Sequence, residues 1–355
     1  MNGWLETLPS KRVRAVYRDE AGNRHSATFP DRKQAKAFLN AALVDIARGQ
    51  WIDPRGGQLP FAEWAARWSA ARFTRISTQA TDEGRMRNYL LPFFGQLALK
   101  DITPLTVRSF IAQLSTRVAP KTVRNIHALL STVLRDAVLE GLLLFNPCTG
   151  VRLPKEPQAE AVFLSPAQID TLVAAVPEHY QALVQTAAGT GMRWGELAGL
   201  RRDRLDLLHQ RLDVTQTLLD INGALSFGEP KTARSRRTVS LPPSLVTVLA
   251  RHLEGHRHEL VFTSEAGDPL RRSNFHARVW RPATIAAGLV PAPRFHDLRH
   301  SHVAMLISAG APVKAIQHRL GHSSIVMTMD RYGHLLAEVD VDLIAGLEAQ
   351  LRSGT

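Results

Sequence analysis

The sequence predicts a multidomain protein that is mainly α-helical with small β-sheets. Residues 60–145 carry apolar side chains at helical spacing almost throughout. Short alternating segments near 11–30 and 211–241 read as strands bounded by turn residues. Two stretches rich in Pro, Gly and charge, 51–58 and 150–161, divide the 355 residues into three parts. The expected domains are 1–55, a β-sheet plus a helix; 59–150, a helical bundle; and 160–355, an α+β unit with a tail helix.

In the first part, Val13, Ala15 and Tyr17 face one way, and Arg12, Arg14, Val16 and Arg18 the other. A turn at Glu20–Asn23 returns the chain along His25–Phe29. Asp31 then caps a helix to about Arg48, and Gly49 ends it. In the second part, helices are expected over Phe61–Ala71, Thr78–Leu90, Thr103–Leu114 and Pro120–Leu139, with Pro104 at a first helical position. Their polar faces carry Arg85, Arg87, Lys121 and Arg124. The third part starts at Leu164-Ser165-Pro166 and reads as helical to about 204. Strands at Arg211–Leu219 and Ala224–Leu241 flank an Ile221-Asn222-Gly223 turn, and helices resume at Pro242 and near Ser273. Val339, Leu343, Ile344, Leu347 and Leu351 form an apolar stripe in the tail.

The net charge is +12, and residues 1–155 hold +11 of it. A basic segment ahead of a near-neutral one points to a nucleic-acid-binding part joined to a part with another task. Cys148 is the sole cysteine, which excludes intramolecular disulfides and Cys-based metal sites. The first residues lack the apolar run of a signal peptide, and no stretch approaches the length of a membrane span. An intracellular protein without membrane partners is expected.

Four clusters could carry chemistry. Thr190-Gly191-Met192-Arg193-Trp194-Gly195-Glu196-Leu197 is a glycine turn entering a helix, and alone it reads equally as a plain turn with Arg193 paired to Glu196. It has neither Rossmann nor P-loop spacing. Lys231-Thr232-Ala233-Arg234-Ser235-Arg236-Arg237 is a basic run on an expected hairpin, alone no more than a solvated loop. Phe295–His302 places His296 and Arg299 on one helical face, where they could clamp a phosphate; it is not a zinc motif. Leu320-Gly321-His322-Ser323-Ser324 is followed by Tyr332, alone an ordinary surface tyrosine. Together they offer two arginines for phosphate oxygens, a lysine and two histidines for proton transfer or hydrogen bonds, and a tyrosine nucleophile. No carboxylate cluster suited to Mg²⁺ accompanies them, so metal-free, cofactor-free phosphoryl transfer is expected.

The segments TGMRWGEL, KTARSRRTV, HDLRHSH, LGHSS and MTMDRYGH, in that order over residues 165–340, resemble the tyrosine recombinases of the phage integrase family. The resemblance implies a catalytic set of Arg193, Lys231, His296, Arg299, His322 and the nucleophile Tyr332, with Lys231 as general acid. It implies a three-strand-plus-helix arm-binding domain, a helical SAM-like core-binding domain and an α+β catalytic domain. Expected DNA contacts are Arg12, Arg14, Arg85, Arg87, Lys121, Arg124, Arg234 and Arg236. The partners it implies are core-type and arm-type DNA sites and a tetramer on DNA, joined by a directionality factor and a host DNA-bending protein, in a bacterial cytoplasm. The alternatives are a Xer-like resolvase, a type IB topoisomerase-like enzyme, or a catalytically silent DNA-binding regulator.

Overall fold

The computed structural model describes residues 3–19, 22–48, 56–156, 162–229, 235–321 and Leu351. The chain divides into two compact units, 1–157 and 158–355. The expected tail helix and Gly49, the expected stop of the first helix, lie outside the described residues.

The first unit contains two separate apolar clusters. In one, strands β1 (Gly3–Thr7), β2 (Val13–Arg18) and β3 (Arg24–Phe29) form an antiparallel sheet in the order β1-β2-β3. Helix α1 (Arg32–Ala47) begins where the Asp31 carboxylate accepts the Gln34 amide at 2.8 Å. It sets Ala35, Leu39 and Ala42 against Val13, Ala15 and Tyr17. Val16 departs from the expected alternation, since it is fully buried on the other face. Its strand is central, and Trp4 lies opposite it in the register. The residue pattern itself did not indicate β1, a short edge strand of mixed burial.

The second cluster is helical: α2 (Phe61–Ala71), α3 (Ile76–Arg85), a π turn over Met86–Leu90, α4 (Leu91–Phe94), α5 (Pro104–Ser115) and α6 (Pro120–Leu139). The helical stretch expected over Thr78–Leu90 begins at Ile76 and extends past its expected end to the cap at Gly95. The wider π turn, with the Leu91 amide bonded to the Met86 carbonyl, precedes Pro92, and the helix runs on to Phe94. Phe61, Leu90, Phe94, Ile126, Leu130 and Leu134 are fully buried. Trp64 Nε1 donates to the Val133 carbonyl at 3.0 Å and Trp68 Nε1 to Asp136 Oδ2 at 2.7 Å, which ties α2 to α6.

In the second unit, Ser165 and Gln168 form a capping box at the start of α7 (Pro166–Ala175). The expected helix to 204 is interrupted. Helix α8 (Glu178–Thr190) stops at Gly191, whose φ of 64° is left-handed, and α9 (Trp194–Ala198) starts anew. Strands β4 (Leu205–Asp206), β5 (Arg211–Val214), β6 (Thr217–Ile221), β7 (Ala224–Gly228) and β8 (Arg237–Ser240) make two sheets, β4-β5-β8 and β6-β7. The expected Arg211–Leu219 strand therefore breaks at Thr215–Gln216, where the chain changes sheets. Asn222 and Gly223, both at positive φ, close the β6–β7 hairpin. Strands β7 and β8 belong to different sheets and do not pair with each other; Lys231, expected on a hairpin, lies outside the described residues.

Helices α10 (Pro243–Glu254), α11 (Arg272–Phe275), a π turn over His276–Trp280, α12 (Arg281–Ala286), α13 (Asp297–Ser308) and α14 (Val313–Leu320) complete the unit. Helix α13 is central, with every residue from Asp297 to Val303 buried. No helix among the described residues is long and apolar enough to cross a membrane.

Leu130 sits fully buried in the helical cluster. Leu130→Ala is expected to destabilise the first unit by about 2–5 kcal/mol, read as a lower urea midpoint by tryptophan fluorescence.

Candidate active site

Five polar residues on one buried helical turn and a half of α13, Asp297, Arg299, His300, Ser301 and His302, are an unusual cost unless each is satisfied. Asp297 takes Arg294 through Nη2 at 2.7 Å and through its backbone amide at 2.7 Å. Ser301 Oγ donates to the Asp297 carbonyl at 2.8 Å and accepts the Leu164 amide at 2.8 Å. Arg299 donates through Nη1 to the Gly191 carbonyl at 2.5 Å and through Nη2 to the Leu320 carbonyl at 2.7 Å. Its guanidinium thereby joins the C-terminal ends of α8 and α14.

Arg193 stands at the start of α9. Its amide donates to Glu196 Oε2 and its Nη1 to Glu196 Oε1, both at 2.9 Å. The pairing that reads as a plain turn in the sequence is thus present, but it is half of a larger arrangement. Glu196 is 4% exposed and also accepts Arg237 through Nη1 at 3.2 Å and Nη2 at 2.9 Å. Burial pushes the Glu196 carboxyl up, yet the Arg237 hydrogen bonds and the charges of Arg237 and Arg193 outweigh it and hold the group below its ordinary range.

His296 precedes α13 and faces Arg299 and Arg193. Burial first, then those two positive charges, push its pKa down to about 4, so it is a neutral imidazole at pH 7. A neutral ring donates one hydrogen bond at a fixed point without adding charge. The structure therefore brings Arg193, His296 and Arg299 into one neighbourhood from three sequence-distant positions. Lys231, Arg234, His322 and Tyr332 lie outside the described residues. Among the described residues, no group of three or more His, Cys, Asp or Glu side chains is placed to hold a metal ion.

Residues 162–338 match the phage integrase family, and residues 61–153 match the phage integrase central domain. A protein of Mycobacterium tuberculosis named as a prophage phiRv2 integrase is 33% identical over 97% of this chain and 94% of its own. The chain belongs to the phage integrase family. Its fold is that of the family's solved members. The Tn1549 transposon integrase, bound to transposon right-end DNA, superposes with a TM-score of 0.70 at 20% identity, over 79% of this chain and 98% of that one. Lambda integrase, as a tetramer on a Holliday junction, gives 0.61 at 19% identity, over 90% and 92%.

The other expected contacts of this integrase-family chain are spread over its surface. Arg12, Arg87, Lys121, Arg124 and Arg236 are exposed, whereas Arg14 and Arg85 are half-buried. Glu6 lies 3.9 Å from Arg14, Asp82 3.4 Å from Arg85, Glu156 3.3 Å from Lys121 and Glu229 2.5 Å from Arg236. The sequence pattern did not mark Arg237 as a buried partner of Glu196, placed His302 in the Phe295–His302 cluster without a role, and did not single out Arg319. For Arg237 the available signal was its place as the last cation of the run, on the first residue of β8.

Glu196 and the histidines set the acid response. Glu196 has a lowered pKa, so its stabilisation is complete above about 4.5 and is lost as pH falls through the folded value. His296 and His302 are both lowered from 6.5 to about 4, so the unfolded chain binds more protons between those values and stability falls as pH drops. The urea midpoint is expected to decline from pH 6.5 toward 4, and a His296→Gln, His302→Gln double variant to decline less steeply between 6.5 and 5.

Proposed function

We propose that this tyrosine recombinase cleaves and rejoins DNA at specific sites through a 3′-phosphotyrosyl link, integrating or excising a mobile element. The observation that carries the reading is the convergence of Arg193 and Arg299 on His296, with Arg193 held by the buried Glu196, in a chain of this family. Two guanidiniums face the non-bridging oxygens of the scissile phosphate. His296 donates a hydrogen bond there as a neutral ring. His322 completes that shell, and Tyr332 attacks phosphorus.

A free tyrosine is only about 0.1% phenolate at pH 7, so the site must favour charge on the attacking oxygen and on the phosphate. Donors fixed in advance at the developing charge contribute a few kcal/mol each. Lys231 protonates the leaving 5′-oxygen. The phosphotyrosyl ester retains the free energy of the phosphodiester, so a 5′-hydroxyl of a second strand attacks it, reseals the DNA and releases Tyr332. Neither ATP hydrolysis nor a metal is needed for that balance.

In this reading the helical domain, 59–150, and the catalytic domain, 160–355, clamp core-type DNA, and 1–55 binds arm-type DNA. Arg12, Arg14, Arg85, Arg87, Lys121, Arg124, Arg234 and Arg236 contact phosphates. Four copies assemble on paired sites, as lambda integrase does on a Holliday junction, and the tail stripe docks into a neighbouring copy to couple cleavage to assembly. A directionality factor and a DNA-bending protein bias the outcome, on bacterial DNA in the cytoplasm.

The test is adduct formation, in EDTA, on nicked duplexes tiled across the DNA that flanks this gene. Wild type is expected to give a detergent-resistant protein–DNA adduct, and Tyr332→Phe to bind without forming one. An adduct in the variant would assign the nucleophile elsewhere. Removing residues 1–55 is expected to spare cleavage of a core duplex and to abolish integration into a two-site plasmid; undiminished integration would remove the arm-binding role.

A further inference from the structure

One pair, the half-buried Arg319 and the buried His302, remains outside the roles given above. Arg319, in the last turn of α14, donates through Nε to His302 Nε2 at 2.9 Å and through Nη2 to the Gly189 carbonyl at 3.0 Å. The other ring nitrogen of His302, Nδ1, lies 2.8 Å from the Ala188 carbonyl. A carbonyl only accepts, so Nδ1 carries the proton and Nε2 accepts from Arg319. The ring fits against Gly191, where a Cβ would meet His302 Cδ2 at 2.8 Å.

The pair fixes the end of α14 to the end of α8, and that end is where the active-site cations are held. The Arg319 carbonyl accepts Arg237 Nε at 2.6 Å, and the Leu320 carbonyl accepts Arg299 Nη2 at 2.7 Å. Gly321 follows in the left-handed conformation, and the next residue is His322. The guanidiniums of Arg237 and Arg299 therefore depend on where residues 319 and 320 sit.

We infer that Arg319 and His302 are positioning residues of the recombination reaction. Together they form a strut that sets the carbonyls of Arg319 and Leu320, and through them the guanidiniums of Arg237 and Arg299. The inference rests on the proposed cleavage chemistry. A misplacement of about 1 Å at such a site can cost about a hundredfold in rate.

The experiment is single-turnover adduct formation by the full-length protein on a nicked duplex that wild type cleaves, at saturating enzyme. Arg319→Met is expected to slow the rate constant at least about tenfold while the final adduct yield and the DNA affinity stay at wild-type values. His302→Phe keeps a ring and loses both hydrogen bonds, and it is expected to match Arg319→Met. His302→Gln can donate to Ala188 and accept from Arg319, so it is expected to stay near wild type. The double variant Arg319→Met, His302→Phe is expected to be no slower than either single one, as for residues that act as a unit. A reduced yield with an unchanged rate constant would mean a merely structural role and would overturn the inference, as would a wild-type rate in Arg319→Met. An adduct that persists in Tyr332→Phe would instead overturn the nucleophile assignment and leave this rate comparison intact.

Discussion

Four guanidiniums, those of Arg193, Arg237, Arg299 and Arg319, are gathered around the ends of α8 and α14 with one buried carboxylate, Glu196, among them. Like charges at that density repel unless something negative lies between them. A set of titratable acids would neutralise a site that, in the proposed chemistry, faces an anion. The chain uses backbone carbonyls instead. Gly189, Gly191, Ser235, Arg319 and Leu320 all accept from these arginines. Four of those carbonyls lie at helix C-termini, where the last carbonyls have no intrahelical partner and the helix dipole is negative. Both helices end on a left-handed glycine, Gly191 and Gly321, which stops the helix and leaves those carbonyls open to side chains.

The same constraint decides the state of the histidines. The half-buried His296 and the buried His302 lie among these cations, and both desolvation and charge oppose protonation. They are neutral for different ends. His296 keeps a hydrogen-bond donor beside Arg193 and Arg299 without adding to the repulsion. His302 must be neutral because one of its nitrogens accepts from an arginine. A site arranged this way keeps its charge pattern constant across the neutral pH range, with the surplus positive charge carried by groups that do not titrate there.

How much of this could be read in the sequence depends on how local the signal was. Arg193 and Glu196, and His296 and Arg299, are three residues apart, so a helix start or a helical turn brings each pair together without knowledge of the fold. Helices α2 and α6 were legible because their apolar periodicity is long and their starts carry Pro or follow one. The carbonyl partners were not legible, since every residue carries one and only the meeting of α8, α13 and α14 selects Gly191 and Leu320. Arg237 looked like one more cation of a solvated run because its burial depends on β8 pairing with β5, a contact with no local signature. The single hairpin expected over 211–241 failed for a similar reason. Alternation shows where strands lie, and not that β5 and β6 belong to different sheets.

The uneven charge of the chain now has a physical account. The second unit is nearly neutral in sum, yet its cations are unevenly placed: Arg237 and Arg299 are buried, Arg237 against Glu196, and both are held by backbone carbonyls. The first 155 residues carry the surplus as exposed cations. There, acidic neighbours such as Glu6, Asp82 and Glu156 stand beside Arg14, Arg85 and Lys121. Such surface pairs contribute little, roughly 0–1 kcal/mol, so a cation can exchange its carboxylate for a phosphate at small cost. Exchangeable surface charge gives binding that salt weakens and that tolerates many sequences. Buried, carbonyl-held charge is fixed in place, as the proposed recognition of one phosphate requires. The second unit also carries charge of the first kind, at the exposed Arg236 beside Glu229, but no one cation can be both free to follow a backbone and fixed to within a fraction of an ångström.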